Sequence, residues 1–359
     1  MAAYKDEKRG TWFVQCSYKD AANRKQRKTK RGFATKREAQ DWERGILANA
    51  KGSLHMSFNS FYALYEKDRK PRLKENTWVT KDYLIRLKIL PFFGGMAIDE
   101  IDSTDVMRWE NELIDYRDPS GLPYSKTYLR TICNQLSAIF NHAVNHYGLH
   151  ENPVRKAGKM GSAVGGEMHY WTKEEYLRFS DAIMEKPVSF TAFEILYWTG
   201  IREGELLALT PSDFDFEKHT LRVDKSYQRI KGEDVITDPK TPKSVRTIVM
   251  PKFLCEEVAE YIDQNRYVKE GDRLFQISKS MLYHEMERGS KAAGVKRIRV
   301  HDLRHSHVSL LIEMGFNVLA IADRMGHESV DITFRYAHLF PNKQEEMADG
   351  LDLERGEAR

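Results

Sequence analysis

The apolar positions along the chain fall into two rhythms, alternation and a three-to-four spacing, and these divide it into segments. Residues 11–18 (TWFVQCSY) are rich in aromatic and β-branched side chains and predict a strand. A turn-like KDAAN follows at 19–23, and RKQRKTKRGF (24–33) reads as a second, basic strand. Thr35 and Glu38 have the spacing of a capping box, which opens a helix to about Ala50. Trp12, Phe13, Phe33 and Trp42 supply a small core, so the segment reads as a folded sheet-plus-helix module rather than a basic tail. After a short KGS linker (51–53), the period becomes helical from Ser57 to about His150. Phe58, Phe61, Tyr62 and Tyr65 mark the first helix. A second runs from Thr77 to Leu90, stopped by Pro91 and Gly94; a third is N-capped by Ser103 and reaches Tyr116; a fourth spans Ser125 to Tyr147, closed by Gly148. Four such helices make one compact α domain.

Residues 152–167 are rich in Gly and Lys and read as a linker. A new domain begins at Tyr170, with a second capping box at Thr172–Glu175 and a buried helix from Phe190 to Trp198 that ends at Gly200. Segments 219–228, 234–238 and 244–250 predict three strands, with DPKTPK (238–243) turning between the second and third. Beyond Pro251 the pattern is helical again. The expected fold class is mainly α with small β elements. The expected division is 1–51, 55–152, a linker at 153–168, 169–345, and an acidic, peripheral tail at 346–359.

Composition narrows the class. At 359 residues the chain exceeds one ordinary domain. No apolar run approaches the roughly 20 residues that cross a bilayer, and MAAYKDEKRGTW at the N-terminus has no signal-peptide apolar stretch. Cys16, Cys133 and Cys255 are too few and too scattered for a disulfide framework or a zinc site. A cytoplasmic, reduced protein with no membrane partner is expected. The net charge of +4 hides an asymmetry: residues 1–51 hold 14 Lys and Arg against 6 Asp and Glu, while the rest of the chain is net acidic. A basic module of this kind suits a polyanion, and Lys25, Arg27, Lys28, Lys30 and Arg31 are the candidate phosphate contacts. A two- or three-stranded face can enter a major groove. On the fourth helix, Lys126, Arg130 and Asn134 form a polar face that suits either phosphates or ordinary solvation.

The densest chemistry lies near the C-terminus: HDLRHSH (301–307), MGH (325–327) and FRYAH (334–338). A phosphodiester repels nucleophiles. Cleaving it takes an aligned nucleophile, cations on the non-bridging oxygens and an acid for the leaving alkoxide. Guanidinium is planar, charged and bidentate toward phosphate. His301 and Arg304, three apart, share a helical face. Tyr336 offers a phenol, a weak nucleophile until cations stabilise its anion. A phosphotyrosine ester conserves the bond energy, so such cleavage reverses without ATP. Singly, an Arg is ordinarily a surface partner, a His structural and a Tyr core. His301, His305 and His307 do not share one helical face and lack a carboxylate partner, so no metal and no other cofactor is expected.

As a set, Arg202 in TGIREGELLAL, Lys240 in DPKTPKS, His301 and Arg304 in HDLRHSH, Gly326–His327, and Tyr336 in FRYAH resemble the tyrosine recombinase (phage integrase) family, in order and spacing. The basic module and helical domain ahead of them are similar to the three-part integrases of phages and conjugative transposons of Gram-positive bacteria. The resemblance implies an arm-binding module, a helical core-binding domain and a mixed α+β catalytic domain. It implies that Arg202 and Arg304 clamp the scissile phosphate and that His301 and His327 support it and assist proton transfer. Lys240 would be the general acid on a β-hairpin turn, with Lys243 its rival, and Tyr336 would form a 3′-phosphotyrosine. Glu205 would orient its neighbours. Implied partners are double-stranded DNA at core and arm attachment sites and three further copies in a tetramer. An excisionase and a host DNA-bending protein are the accessory factors. The expected activity is integration and excision of a mobile element. A type IB topoisomerase-like relaxing enzyme and an inert DNA-binding regulator are the competing readings.

Overall fold

A computed structural model describes residues 3–6, 10–19, 25–40, 42, 54–158, 160–162, 168–239, 241–334, 336, 351 and 355. The chain divides into two compact units, 1–166 and 167–359. Among the described residues no helix is long and apolar enough to cross a membrane.

The first unit opens with an antiparallel sheet in the order β1 (Ala3–Asp6), β2 (Thr11–Lys19), β3 (Lys25–Phe33). β1 was not foreseen, because AYKD carries no apolar alternation. Val14 faces Lys30 and Cys16 faces Lys28 across the β2–β3 ladder, while Phe13 faces Arg31 and Ser17 faces Arg27. Side chains alternate along a strand, so the two sets occupy opposite faces. One face buries Val14 and Cys16 with Ala39; the other carries Phe13, Gln15, Ser17, Arg27, Thr29 and Arg31. Residues 36–40 are helical, entered through Thr35, whose Oγ1 accepts the Glu38 amide at 3.2 Å. The Glu38 carboxylate reaches back one residue further than the motif predicts, to the Ala34 amide at 3.1 Å. The turn from residue 20 on and the helix from 43 to 50 lie outside the described residues.

The helical part of this unit contains Phe58–Arg69, Glu75–Leu84, Ser103–Asp115 and Lys126–Tyr147, packed on a core that includes Phe58, Phe61, Tyr65, Phe93, Trp109 and Phe140. Pro91 does not stop the second helix. Glu75–Leu84 continues through a wide turn, Ile85–Ile89, in which the Leu90 amide reaches back five residues to Ile85, and the helix restarts as Leu90–Phe93. Pro91 then sits in a first turn, where no intrahelical N–H is required. The third helix is capped by Asp102 rather than Ser103, its carboxylate accepting the Thr104 amide at 2.7 Å and the Asp105 amide at 3.0 Å. Gly148 closes the fourth helix as expected, and Ser125, read as its first residue, is its N-cap. Within the expected linker, Pro153–Ala157 forms a helical turn, and Val154 and Met160 are buried in the helical core.

The second unit buries Trp171, Phe179, Phe193, Leu206 and Phe275 in one core. The helix Pro187–Thr199 is apolar nearly all round and buried on most sides, which suits its central place. The strand expected over 219–228 is two strands, β5 (Thr220–Val223) and β6 (Ser226–Ile230). They separate at Asp224–Lys225, where Lys225 turns to bond the buried Asp213 at 2.6 Å. β5 pairs with β4 (Phe214–Asp215) and β8 (Arg246–Val249); β6 pairs with β7 (Glu233–Thr237). The segment holding Lys240 therefore links two sheets rather than closing a hairpin between β7 and β8. Helices Lys252–Gln264, Lys279–Ala293, Asp302–Glu313, Val318–Met325 and the short Asp331–Phe334 complete the unit.

Candidate active site

The site begins where Pro187–Thr199 ends. Gly200 has a left-handed φ of 66°, and a Cβ there would lie 2.7 Å from the His307 ring. The Gly200 carbonyl accepts a bond from Arg304 Nη1 at 2.7 Å. Two residues on, Arg202 stands just ahead of the turn Glu203–Leu206, with its guanidinium partly open to solvent. Glu205, on that turn, is buried. Its Oε1 accepts Arg202 Nη1 at 2.8 Å, while Oε2 accepts both Arg246 Nη2 and the Arg202 amide at 2.9 Å. Burial alone would raise this carboxyl. The hydrogen bond from Arg246 and the two guanidinium charges outweigh it and hold the group below its usual range.

Arg304 is the hub. Its side chain is buried, and Nη2 donates to the Met325 carbonyl at 2.6 Å, so one guanidinium ties the loop before Arg202 to the loop before His327. Burial, then the like charge of Arg202, pulls its pKa down to about 9, which still leaves it charged at neutral pH. Gly326 has a φ of 63°, and a Cβ there would come within 2.9 Å of Arg246 Cδ; this close approach by Arg246 is what the glycine permits.

The histidines are neutral by environment. His327 is buried and bonded to Thr333 Oγ1 at 2.8 Å. Burial and the charges of Arg304, Arg202 and Arg246 lower its pKa to about 3. His301 keeps one edge in solvent, but packing on its inner side, then Arg304, lowers it too. Its ring stands edge-on to His305 at 5.4 Å. His305 Nδ1 shares a short hydrogen bond with the Tyr336 hydroxyl, and burial together with His301 lowers its pKa to about 4. Tyr336 itself is buried among Val308, Ile312, Ile321 and Met325. His307 faces elsewhere, accepting from Arg324 Nε at 3.1 Å. Among the described residues no three His, Cys, Asp or Glu side chains form a metal-holding group.

Of the residues singled out from sequence, Arg202, Glu205, His301, Arg304, His327 and Tyr336 converge here. Lys240 lies outside the described residues. Lys243 is exposed and donates to the Glu328 carbonyl at 3.3 Å, on the rim of a cavity of about 410 Å³ that Arg246, Gly326 and His327 also line. Arg246 and His305 were missed as site residues. Arg246 had a signal: in SVRTIVM it is in phase with the buried Ile248, a charge at an inward position. Away from this site, Arg27 and Arg31 lie on the open sheet face, whereas Lys28 and Lys30 lie on the face that packs the small core. Arg31 is 5.4 Å from the Phe13 ring and Lys30 is 5.5 Å from that of Phe33. Lys25 is on β3, and its side chain is outside the described residues. Lys126 is exposed and Arg130 half-buried on the first turns of their helix.

Three family models match parts of the chain. Residues 170–343 match the phage integrase family, 57–114 its N-terminal SAM-like domain and 2–50 an arm DNA-binding domain. The ICEBs1 integrase of Bacillus subtilis is 30% identical over 339 residues, covering 89% of this chain and 90% of that one. A XerC-like tyrosine recombinase of Caldanaerobacter subterraneus is 25% identical over 359 residues, covering 89% of this chain and 90% of its own. The Tn1549 transposon integrase, solved with a circular intermediate DNA, superposes with a TM-score of 0.69 at 23% identity, covering 84% of this chain and 99% of that one; at that identity the likeness speaks for the fold. With its arginine-centred site and a relative this similar along nearly its whole length, the chain belongs to the phage integrase family of site-specific tyrosine recombinases.

Proposed function

We propose that this recombinase integrates and excises its mobile element by attack of Tyr336 on a DNA phosphodiester. Arg202 and Arg304 neutralise the non-bridging oxygens, His301 and His327 donate or accept hydrogen bonds beside them, and Glu205 holds Arg202 in place. The phenolic oxygen bonds to phosphorus, the 5′ oxygen leaves, and a 3′-phosphotyrosine forms. Lys240 protonates the leaving oxygen. Rejoining is the same step reversed, so neither ATP nor a metal is consumed. The observation that carries the reading is the single guanidinium of Arg304, which binds the carbonyls of both Gly200 and Met325 and so gathers groups about a hundred residues apart around one point.

In the same reading, residues 1–51 bind arm sites, 55–152 bind the core site and 169–345 perform the chemistry, a division that the three family matches support. The substrate is double-stranded DNA. Solved relatives include a lambda integrase dimer bound to a core site and a tetramer bound to a Holliday junction, which supports four copies working on two duplexes. An excisionase and a host DNA-bending protein set direction, and the work is done in the cytoplasm at the nucleoid. Tyr336→Phe tests the nucleophile on a nicked suicide duplex copied from the host–element junction. The variant should bind with wild-type affinity and form no covalent adduct. An adduct formed by the variant would end the assignment of Tyr336.

A further inference from the structure

The proposed mechanism must move one proton away from the Tyr336 phenol as it attacks. The structure puts an imidazole against it. His305 lies one residue after Arg304, and its Nδ1 is hydrogen-bonded to the Tyr336 hydroxyl. Its other nitrogen, Nε2, is 3.9 Å from Oδ1 of Asp302. Asp302 and His305 are three apart, hence on one face of the Asp302–Glu313 helix. Asp302 is buried and accepts the Arg299 amide at 2.9 Å and Arg299 Nη2 at 2.7 Å. Burial would raise its pKa, and these bonds more than reverse that, so it is an anion. A carboxylate on the Nε2 side favours the tautomer with its proton on Nε2. Nδ1 is then an acceptor facing a phenol.

We infer that His305 is a further catalytic residue, the base that takes the Tyr336 proton during cleavage and returns it during rejoining, with Asp302 fixing its tautomer. The inference rests on the nucleophilic role of Tyr336. The atoms balance: the Tyr336 Oη–phosphorus bond forms, the phosphorus–O5′ bond breaks, and the phenolic proton moves to His305 Nδ1. The 5′ oxygen takes its proton from the general acid. In rejoining, the 5′ hydroxyl attacks and the leaving phenolate recovers its proton from His305.

The charge environment gives the step its timing. His305 faces His301, Arg299 and Arg304, which disfavour its cation, and Asp302, which favours it. His327 is a further neighbour, and Tyr336 is its bonded partner. Without DNA the imidazole is neutral. A bound phosphodiester adds negative charge beside the ring and raises its basicity, at the moment when the cations around Arg304 lower the cost of the phenolate.

The test is single-turnover cleavage of the same nicked duplex by the full chain. His305→Asn, whose amide can still bond the phenol but cannot carry a proton, should bind DNA normally and cleave roughly 100-fold slower at pH 7, the lower end of general-base effects. Placing a fluorinated tyrosine at position 336 lowers the phenol pKa and should restore most of that loss; raising the pH should do the same. His305→Gln must behave alike and serves if the Asn variant does not fold. Cleavage by both variants at the wild-type rate, or a loss that the fluorinated phenol does not narrow, overturns the role of His305 as base. Tyr336→Phe, measured beside them, separates the two readings: if it stays inert while the His305 variants cleave at full speed, only the present inference fails.

Discussion

The arginines of the N-terminal sheet and those of the catalytic unit are the same side chain put to opposite uses. On β3, Arg27 and Arg31 stand on an exposed ladder, set there by strand alternation alone. In the catalytic unit, Arg246 and Arg304 are withdrawn from water, and each is held by groups far away in sequence: Arg304 by Gly200 and Met325, Arg246 by Glu205 and the Arg324 carbonyl. Exposed cations on a scaffold act additively and are screened by salt. Buried ones are part of the scaffold, so removing any partner strands a charge. The two regions should therefore fail differently.

The largest expected effect follows from Glu205. It is the shared counter-ion of Arg202 and Arg246, and it is buried. Glu205→Ala would leave Arg246 without its carboxylate in a nearly dry site, a loss of about 3–5 kcal/mol, with strand cleavage falling in parallel. Urea unfolding followed by hydrogen exchange in peptides from 170–336 measures it. Glu205→Gln, which keeps one acceptor oxygen, should lose less. If Glu205→Ala unfolds at the wild-type midpoint, the contrast between buried and exposed arginines is wrong. The same substitution should leave exchange in the sheet of residues 3–33 unchanged.

A second difference is in acid. His305, His307 and His327 are all held neutral, at about 4, 3 and 3, chiefly by burial. Their folded pKa values lie below the ordinary 6.5, so the unfolded chain binds protons that the folded chain does not. Their contribution is complete above pH 6.5 and is lost as the pH falls toward 4 and 3. Each histidine adds up to about 1.4 kcal/mol of lost stability per pH unit within that window. Residues 1–51 contain no histidine, so the sheet has no such slope. Exchange protection compared at pH 7 and pH 5 should fall in the catalytic unit and hold in the sheet, and His327→Gln should reduce the fall by one proton. Equal protection at both pH values in the catalytic unit would contradict the neutral assignment.

Legibility from sequence follows the same divide. Arg202, Arg304, His327 and Tyr336 stood out because chemistry-bearing residues sat in short motifs, and the capping signals at Thr172 and Gly148 worked because caps are local. Pro91 misled because a wide turn five residues long, invisible to periodicity, removed the need for its N–H. The 219–228 segment misled because a buried partner, Asp213, drew Lys225 out of the ladder. Arg246 and His305 escaped as site residues because their meaning lies in what they touch: Glu205 is 41 residues from Arg246, and Tyr336 is 31 from His305.

The smallest effect is the one that resolves the sheet itself. Five basic residues between 25 and 31 read as one patch in sequence, but pairing puts Arg27 and Arg31 on the open face with Phe13, Gln15 and Thr29, and Lys28 and Lys30 on the face that packs Val14 and Cys16. A groove-entering sheet presents one face, so the two pairs should differ in their counterion release. Arg27→Ala with Arg31→Ala should lower the slope of log affinity against log salt by roughly two, near 0.9 per phosphate contact. Lys28→Ala with Lys30→Ala should lower it by less than one. Lys30 also lies near the Phe33 and Trp42 rings, so its loss should instead show as a small fall in stability of the sheet, on the order of 0.5–1 kcal/mol. Fluorescence titrations of arm-site DNA between 50 and 200 mM salt separate the cases. Equal slopes for the two double variants would mean that both faces, or the sheet's edge, meet the phosphates, and that strand alternation does not select which of these cations the DNA sees.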